Sequence, residues 1–149
     1  MDSYFYIFLI SMIPWIELRG SISAGILMYI DFTKVFLISL LGGILIIPFV
    51  FFLLDYIFPI IRKIKIIDRL YLYWESKVQK RYKKYTEWEL IGLLIFVAIP
   101  LPGTGAYSGT LLSYLFGLDR KWSFVAISLG VLIAGIVVSI ISLGIDIIT

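Results

Sequence analysis

Apolar residues in this chain form long uninterrupted stretches, and two of them are long enough to cross a bilayer. A spanning helix needs about 20 apolar residues at a rise of about 1.5 Å each. Residues 35–54 and 122–145 reach this length without a charge. The first stretch contains glycines and a proline that predict a bend. The second has small residues at four-residue spacing that favour close approach of another helix. These are Gly42, Gly43 and Pro48 in the first, and Ala126, Gly130 and Ala134 in the second.

The remaining apolar stretches are each about half a bilayer long and come in two pairs. Residues 4–13 and 22–30 flank a break at 14–20, and residues 90–99 and 106–116 flank a break at 100–105. Irregular backbone at membrane depth is tolerated only where it is buried in protein or faces a wet cavity. Each pair therefore predicts a re-entrant helical hairpin.

The two halves of the chain follow the same order, a hairpin and then one span. A unit with one net crossing repeats upside down in the membrane, and inverted repeats with broken helices are typical of transporters. The sequence predicts an all-α integral membrane protein in one domain, residues 1–149. We divide it into a first hairpin plus span (1–55), a basic interfacial connector (56–89) and a second hairpin plus span (90–149).

The basic residues are concentrated in the connector. Nine Lys or Arg and four Asp or Glu lie between Arg62 and Glu89. The positive-inside rule places this segment in the cytoplasm. A re-entrant second hairpin then keeps Arg120 and Lys121 on the same side. We expect a multi-pass protein of the inner (cell) membrane, whose connector lies at the lipid headgroups. Nucleic-acid binding is the less favoured interpretation of this basic, aromatic stretch.

Composition excludes several chemistries. Hydrophobic residues make up 61% of the 149 residues, and the chain has no cysteine and no histidine. It therefore lacks the commonest general base and the usual zinc ligands. We expect no metal site, no cofactor and no enzymatic activity. No basic residue precedes the first apolar stretch, so residues 4–13 are interpreted as part of the fold, not as a signal peptide.

The first break carries the charges that chemistry could use. Glu17 and Arg19 lie between two apolar half-helices, where ionised groups are costly unless paired, hydrated or functional. Arg19 offers donors to phosphate or carboxylate, Glu17 could exchange a proton, and Gly20 lies at the tip. Ser21 and Ser23 could cap the next helix. The predicted substrate-binding residues of this break are Glu17, Arg19, Gly20 and Ser21. A structural ion pair and a solvated loop are the alternatives.

The second break has no charge. Its predicted substrate-binding residues are Pro100, Pro102, Gly103, Thr104 and Gly105. The prolines end the incoming helix, the glycines allow the turn, and the threonine adds a hydroxyl. We expect exposed backbone dipoles here, and a plain helix–loop–helix turn is the alternative.

One further carboxylate lies at the inner end of the first span. Asp55 is a candidate for a proton relay, and a hydrated interfacial carboxylate is the alternative.

The two breaks together resemble the small multidrug export protein family. The resemblance rests on Glu-Leu-Arg-Gly at 17–20 after Pro14, and on Pro-Leu-Pro-Gly-Thr-Gly-Ala at 100–106 with Gly109. Ser23 and Gly43 depart from the family pattern. The family is distantly similar to the DedA/VTT membrane proteins. That similarity implies proton-coupled movement of phospholipids or lipid-linked phosphates, with Glu17 and Arg19 implicated.

Three functions follow as hypotheses. The first is a DedA-like transporter that moves an anionic lipid or lipid-linked phosphate between leaflets. The second is a proton-coupled exporter of small cationic or amphipathic drugs, with Glu17 as the substrate's counter-ion. The third is a membrane scaffold that transports nothing. The expected partners are membrane lipids, the small substrate and, because the bundle is small, a second copy of the chain in a homodimer.

Overall fold

The structure is a computed structural model that describes residues 3–63, 65, 69, 72, 73 and 86–148. Within 3–63 and 86–148 the chain forms six α-helices and no strand, so the all-α prediction is confirmed for these ranges. The helices are α1 (Ser3–Ser11), α2 (Glu17–Leu27), α3 (Phe32–Ile61), α4 (Thr86–Ala98), α5 (Ala106–Phe116) and α6 (Arg120–Ile148).

Two of these helices, α3 and α6, are long and apolar enough to cross a membrane. The 30 residues of α3 extend about 45 Å, more than the roughly 30 Å of a bilayer's hydrocarbon core. Aspartates cap both helices: Asp31 accepts from the Lys34 N–H at 3.2 Å, and Asp119 accepts from the Trp122 N–H at 3.1 Å. The helix α3 continues past the predicted end at residue 54, through Pro59, because its apolar sequence continues.

An exposed apolar stripe runs along the outer face of each long helix. Its members recur every three or four residues, so they occupy one side of the helix. Such long exposed stripes are costly in water and are stable against lipid tails. They are Leu37, Leu41, Leu45, Phe49 and Phe52 on α3, and Val125, Leu129, Ile133, Ile136 and Ile140 on α6.

The two long helices run antiparallel. Gly135, at the middle of α6, packs against Phe36, early in α3. Arg120, the first residue of α6, pairs with Asp55 in the last quarter of α3. The two candidate spanning helices therefore point in opposite directions, and the inverted repeat of re-entrant hairpins stays a prediction.

Each long helix is preceded by two short helices that contact each other, α1 with α2 and α4 with α5. Both α2 and α5 also contact the two long helices. The buried core lies among these elements. Its residues are Leu18, Ile22, Ile46, Ile47, Val50, Phe51, Leu93, Val97, Ala106, Leu118, Ala126, Ile127, Val131 and Val138.

The small residues of α6 pack against α4, as predicted. Ala126 and Ala134 are buried, and a Cβ added at Gly130 would lie 2.8 Å from the Val97 Cβ and 2.9 Å from the Leu94 carbonyl oxygen. The helix α3 is continuous through Pro48, and its bend stays a prediction.

Most of the predicted basic connector lies outside the described residues. Residues 56–61 belong to the end of α3, and residues 86–89 belong to the start of α4. The prediction of an interfacial amphipathic helix between them concerns mainly residues that the structure does not describe.

Candidate substrate-binding site

The predicted first break is shorter than expected, because α2 already begins at Glu17. Glu17 has a φ of +48° and Trp15 a φ of +82°, a region that L-residues seldom occupy. The chain turns sharply here, so that Glu17 lies on the first turn of α2 and points towards the second hairpin. Backbone strain of this kind is concentrated at functional sites.

The Glu17 carboxylate caps the N-terminus of α5. It accepts hydrogen bonds from the backbone N–H of Ala106 at 3.2 Å and of Tyr107 at 3.3 Å. The first amides of a helix have no partner within the helix, and the helix dipole is positive there. The N-cap residue, Gly105, has no side chain to bind these amides, and a Cβ at Gly105 would overlap both carboxylate oxygens of Glu17. A glycine is needed here to admit the carboxylate.

Arg19 binds the other end of the second break, where α4 ends. Its Nη1 donates to the Leu101 carbonyl oxygen. Its Nη2 donates to the carbonyl oxygens of Ile99 at 3.1 Å, Thr104 at 2.9 Å and, at the limit of 3.4 Å, Val97. The last carbonyls of a helix are unpaired and lie at the negative end of its dipole. The guanidinium is therefore surrounded by backbone acceptors.

Thr104 stabilises the second turn, residues 99–105 between α4 and α5. Its hydroxyl donates to the carbonyl oxygens of Ile99 at 2.6 Å and Leu101 at 2.9 Å, as alternatives for one proton, and lies 3.2 Å from Arg19 Nη2. Gly103 has a φ of +84°, which favours glycine. The Tyr107 hydroxyl also donates to the Met12 carbonyl oxygen, which adds a hydrogen bond between the two turns.

The two predicted motifs are thus in direct contact through Glu17, Arg19 and Tyr107. Glu17 and Arg19, both of which the structure describes, do not form an ion pair with each other. Each binds the backbone of the second turn instead, so neither the internal ion pair nor the solvated loop describes them. The negative charge of Glu17 thus binds the amides at the start of α5, and the positive charge of Arg19 binds the carbonyls at and beyond the end of α4.

A cavity of about 520 Å³ lies beside these contacts, and we call it the central cavity. Its walls come from both turns, from α3 and from α5. They are mainly apolar, with the two charged groups at one side. The lining residues are Pro14, Trp15, Glu17, Arg19, Val50, Leu53, Leu54, Pro102, Gly103, Gly105, Tyr107, Ser108 and Leu111.

Five of the predicted binding residues line the central cavity, and four do not. The five are Glu17, Arg19, Pro102, Gly103 and Gly105. The other four are Gly20, Ser21, Pro100 and Thr104, of which Thr104 contacts Arg19.

The prediction that Ser21 and Ser23 cap a helix is wrong, because both lie inside α2. Ser21 is fully buried and donates to Ser39 Oγ at 2.7 Å. Ser23 binds the Arg19 carbonyl oxygen at 3.1 Å.

Asp55, the predicted proton relay, pairs with Arg120 and is not a lining residue. The two guanidinium nitrogens donate to its two carboxylate oxygens at 2.8 and 2.6 Å. The relay role stays a prediction. Within the part of the chain that the structure describes, no group of three or more His, Cys, Asp or Glu residues could hold a metal ion.

The predicted site residues do not include the walls that α3 and α5 contribute to the cavity. Tyr107, Ser108 and Leu111 share one face of α5, and Val50, Leu53 and Leu54 share one face of α3. The helical period starting from Gly105 points to the first three. Nothing local marks the α3 residues, because their side chains resemble those that face lipid.

The model of the family described as "Putative small multi-drug export protein" matches residues 17–137, which are most of the chain and include the second turn. Comparisons with curated proteins and with solved structures give no significant match. The match begins at the charged residue that caps α5, includes all of α3 and extends into α6 as far as residue 137. The chain is therefore a membrane protein that belongs to the small multidrug export protein family.

Proposed function

We propose that this protein is a membrane transporter that exports small amphipathic molecules with a cationic or hydrogen-bond-donating group. The substrate binds in the central cavity, with its apolar part against α3 and α5 and its polar group at Glu17. One observation carries this proposal: an apolar cavity has an acidic side chain in its wall, at the contact between two broken hairpins. Concave apolar pockets with a few convergent polar groups are the usual form of a small-molecule site.

The preference for a donor follows from which polar group still has capacity. An ionised carboxylate has about four lone-pair positions, and Glu17 uses two of them, at long distances of 3.2 and 3.3 Å. The terminal nitrogens of Arg19, by contrast, face four backbone carbonyls and the Thr104 hydroxyl. Glu17 therefore offers the cavity a free acceptor, whereas the terminal nitrogens of Arg19 are already engaged.

Movement of an anionic lipid or a lipid-linked phosphate has less support. A phosphate would have to displace Arg19 from its carbonyl partners, and the second turn contributes no basic side chain of its own. A scaffold without transport activity is the third possibility, and the experiment below separates all three.

We further propose that both turns lie within the thickness of the inner membrane, with the basic connector in the cytoplasm. The antiparallel α3 and α6 and the contact between the turns support this topology. A proton exchanged at Glu17 would supply the driving force for export, and a second copy of the chain would shield the short helices from lipid.

The test uses the purified protein in liposomes, with ethidium as the probe and an imposed pH gradient. Glu17→Gln keeps the shape of the side chain but removes its charge. We expect it to lower ethidium flux about tenfold or more, the effect of roughly 1.4 kcal/mol. The matched control is Glu87→Gln, at an exposed position on α4, which should leave the flux unchanged.

Other results would overturn the proposal. Equal ethidium flux in Glu17→Gln and the parent protein would remove Glu17 from the site. Flux of a fluorescent polyprenyl phosphate without ethidium flux, abolished by Arg19→Ala in folded protein, would establish the lipid alternative. A folded protein that moves neither probe would favour the scaffold.

A further inference from the structure

The ion pair between Asp55 and Arg120 links the two halves of the protein. Each terminal guanidinium nitrogen donates to one carboxylate oxygen, at 2.8 and 2.6 Å, in a bidentate geometry that fixes direction as well as distance. Asp55 belongs to α3 and Arg120 is the first residue of α6. The side chains are 41% and 58% exposed, so water competes for both.

Aromatic residues surround this pair. The Arg120 guanidinium lies over the Phe51 ring, 5.6 Å from its centroid, which adds a cation–π contact. The Tyr114 side chain of α5 lies near Asp55, and its ring packs edge-on against Phe58 of α3 at 5.2 Å. The ion pair and these rings therefore join α3 to the C-terminal part of α5 and to the start of α6.

The pair lies at one end of the central cavity. The cavity occupies the contact between α3 and α5, where Leu54 and Leu111 are lining residues. Asp55 directly follows Leu54, and Tyr114 is one helical turn beyond Leu111. In both α3 and α5, the residues that line the cavity are thus followed, within one helical turn, by residues that contact a neighbouring helix.

We propose that Asp55 and Arg120 form a latch that closes the central cavity at this end and opens when a substrate enters or leaves. The inference rests on the proposed function of the cavity as a transport site. An exposed ion pair contributes little to stability, so it can break and reform in each cycle. The partners of Glu17 and Arg19, at the other side of the cavity, are backbone groups of a turn and are suited to a fixed contact.

The test measures access to the cavity and needs no substrate. Ser108→Cys places a thiol in the cavity wall of a protein without native cysteine, and a charged methanethiosulfonate reports how fast this thiol reacts. We expect Asp55→Asn to raise the labelling rate about two- to fivefold, the factor by which an exposed ion pair shifts an equilibrium. Exchange of the charges, Asp55→Arg with Arg120→Asp, should return the rate to that of the parent.

Two reference thiols control for folding. Ser3→Cys is exposed on α1 and should react at the same rate in every background. Ser39→Cys is fully buried and should stay unreactive, whereas its labelling would reveal a misfolded variant. In folded protein, equal labelling of Ser108→Cys with and without the ion pair would overturn the latch.

A cross-link gives a second measurement that depends on transport. Asp55→Cys with Arg120→Cys, joined by a short bifunctional reagent with a cleavable disulfide, should abolish ethidium flux, and reduction should restore it. Flux that survives cross-linking would reject the latch even if ethidium is a substrate. If the parent protein moves no ethidium, the proposed function fails, and the labelling rates still decide whether the pair controls access.

Discussion

Gly105 offers the sharpest test of the contact between the two turns. Its backbone lies at φ −105° and ψ −159°, an extended conformation that alanine adopts readily. The substitution Gly105→Ala is therefore free of backbone strain. Its new methyl group would nevertheless overlap the carboxylate of Glu17, which must leave the N-terminus of α5.

The magnitude follows from what the carboxylate loses. It gives up hydrogen bonds to two amides, at 3.2 and 3.3 Å, and with them the cap of α5. Loss of an N-cap costs about 0.5–2 kcal/mol, and hydrogen bonds to charged groups contribute about 1.5–3 kcal/mol. Alanine also leaves the unfolded chain fewer conformations than glycine does, which offsets roughly 0.4–1 kcal/mol of this loss. We expect a net loss of about 1–2 kcal/mol, a fall in Tm of roughly 3–6 °C for a chain of this size.

The assay is thermal unfolding in detergent, followed by tryptophan fluorescence, with Gly92→Ala as the matched control. Gly92 lies within α4, and a Cβ there would meet nothing within 4 Å. This control should raise the stability by about 0.5–1 kcal/mol, the usual gain from alanine in a helix. The two substitutions thus have opposite expected signs.

A double-mutant cycle isolates the cause. With Glu17 already changed to alanine, the added methyl at position 105 has no carboxylate to displace, so the second substitution should cost nothing. If Gly105→Ala lowered Tm by the same amount in both backgrounds, the reasoning from the Glu17 contact would be refuted.

Three further substitutions test the packing around the site by the same assay. Arg19→Ala should cost about 2–4 kcal/mol because several backbone carbonyls lose their donor; Arg19→Lys should recover part of this loss, and equal stability of the two variants would contradict the guanidinium's role. Gly130→Ala should cost about 1–2 kcal/mol because the methyl meets α4 at 2.8 Å, whereas Gly144→Ala, with nothing near it, should not. Tyr107→Phe should cost about 0.5–1.5 kcal/mol through loss of the bond to the Met12 carbonyl, and an unchanged Tm would argue against that bond.

The helices were the most predictable part of the fold. The bounds of α5 agree with those expected from the sequence, because Gly105 and Gly117 mark its two ends and Gly117 adopts the left-handed conformation of a helix cap. The start of α2 was not predictable, since residues 14–20 contain a proline and two charges that favour a loop. The helix begins at Glu17 because long-range bonds hold the charged side chains, and no local preference encodes that effect.

Partners across the fold differ in how far they could be predicted. That Glu17 and Arg19 need partners follows from their place between apolar segments. The sequence does not predict that these partners are backbone amides and carbonyls, since every residue carries both groups. The pairing of Asp55 with Arg120 was within reach, because the charge-based topology already places both at the cytoplasmic end of the two spans. Opposite charges at the same end of adjacent helices are candidates for an ion pair.

The two turns contribute different groups to the polar contacts between them, and this difference bears on the proposed transport. The first turn contributes both charges, and the second contributes the helix ends that they cap and the Tyr107 hydroxyl. Glu17 both caps α5 and lines the cavity, so a cation that draws the carboxylate away also weakens the start of α5. Arg19 keeps its bonds to the end of α4 meanwhile, and the turns stay joined. Because α5 also forms the wall that leads to Tyr114 and the proposed latch, a substrate bound at Glu17, as we propose, would be connected to the far end of the cavity through one short helix.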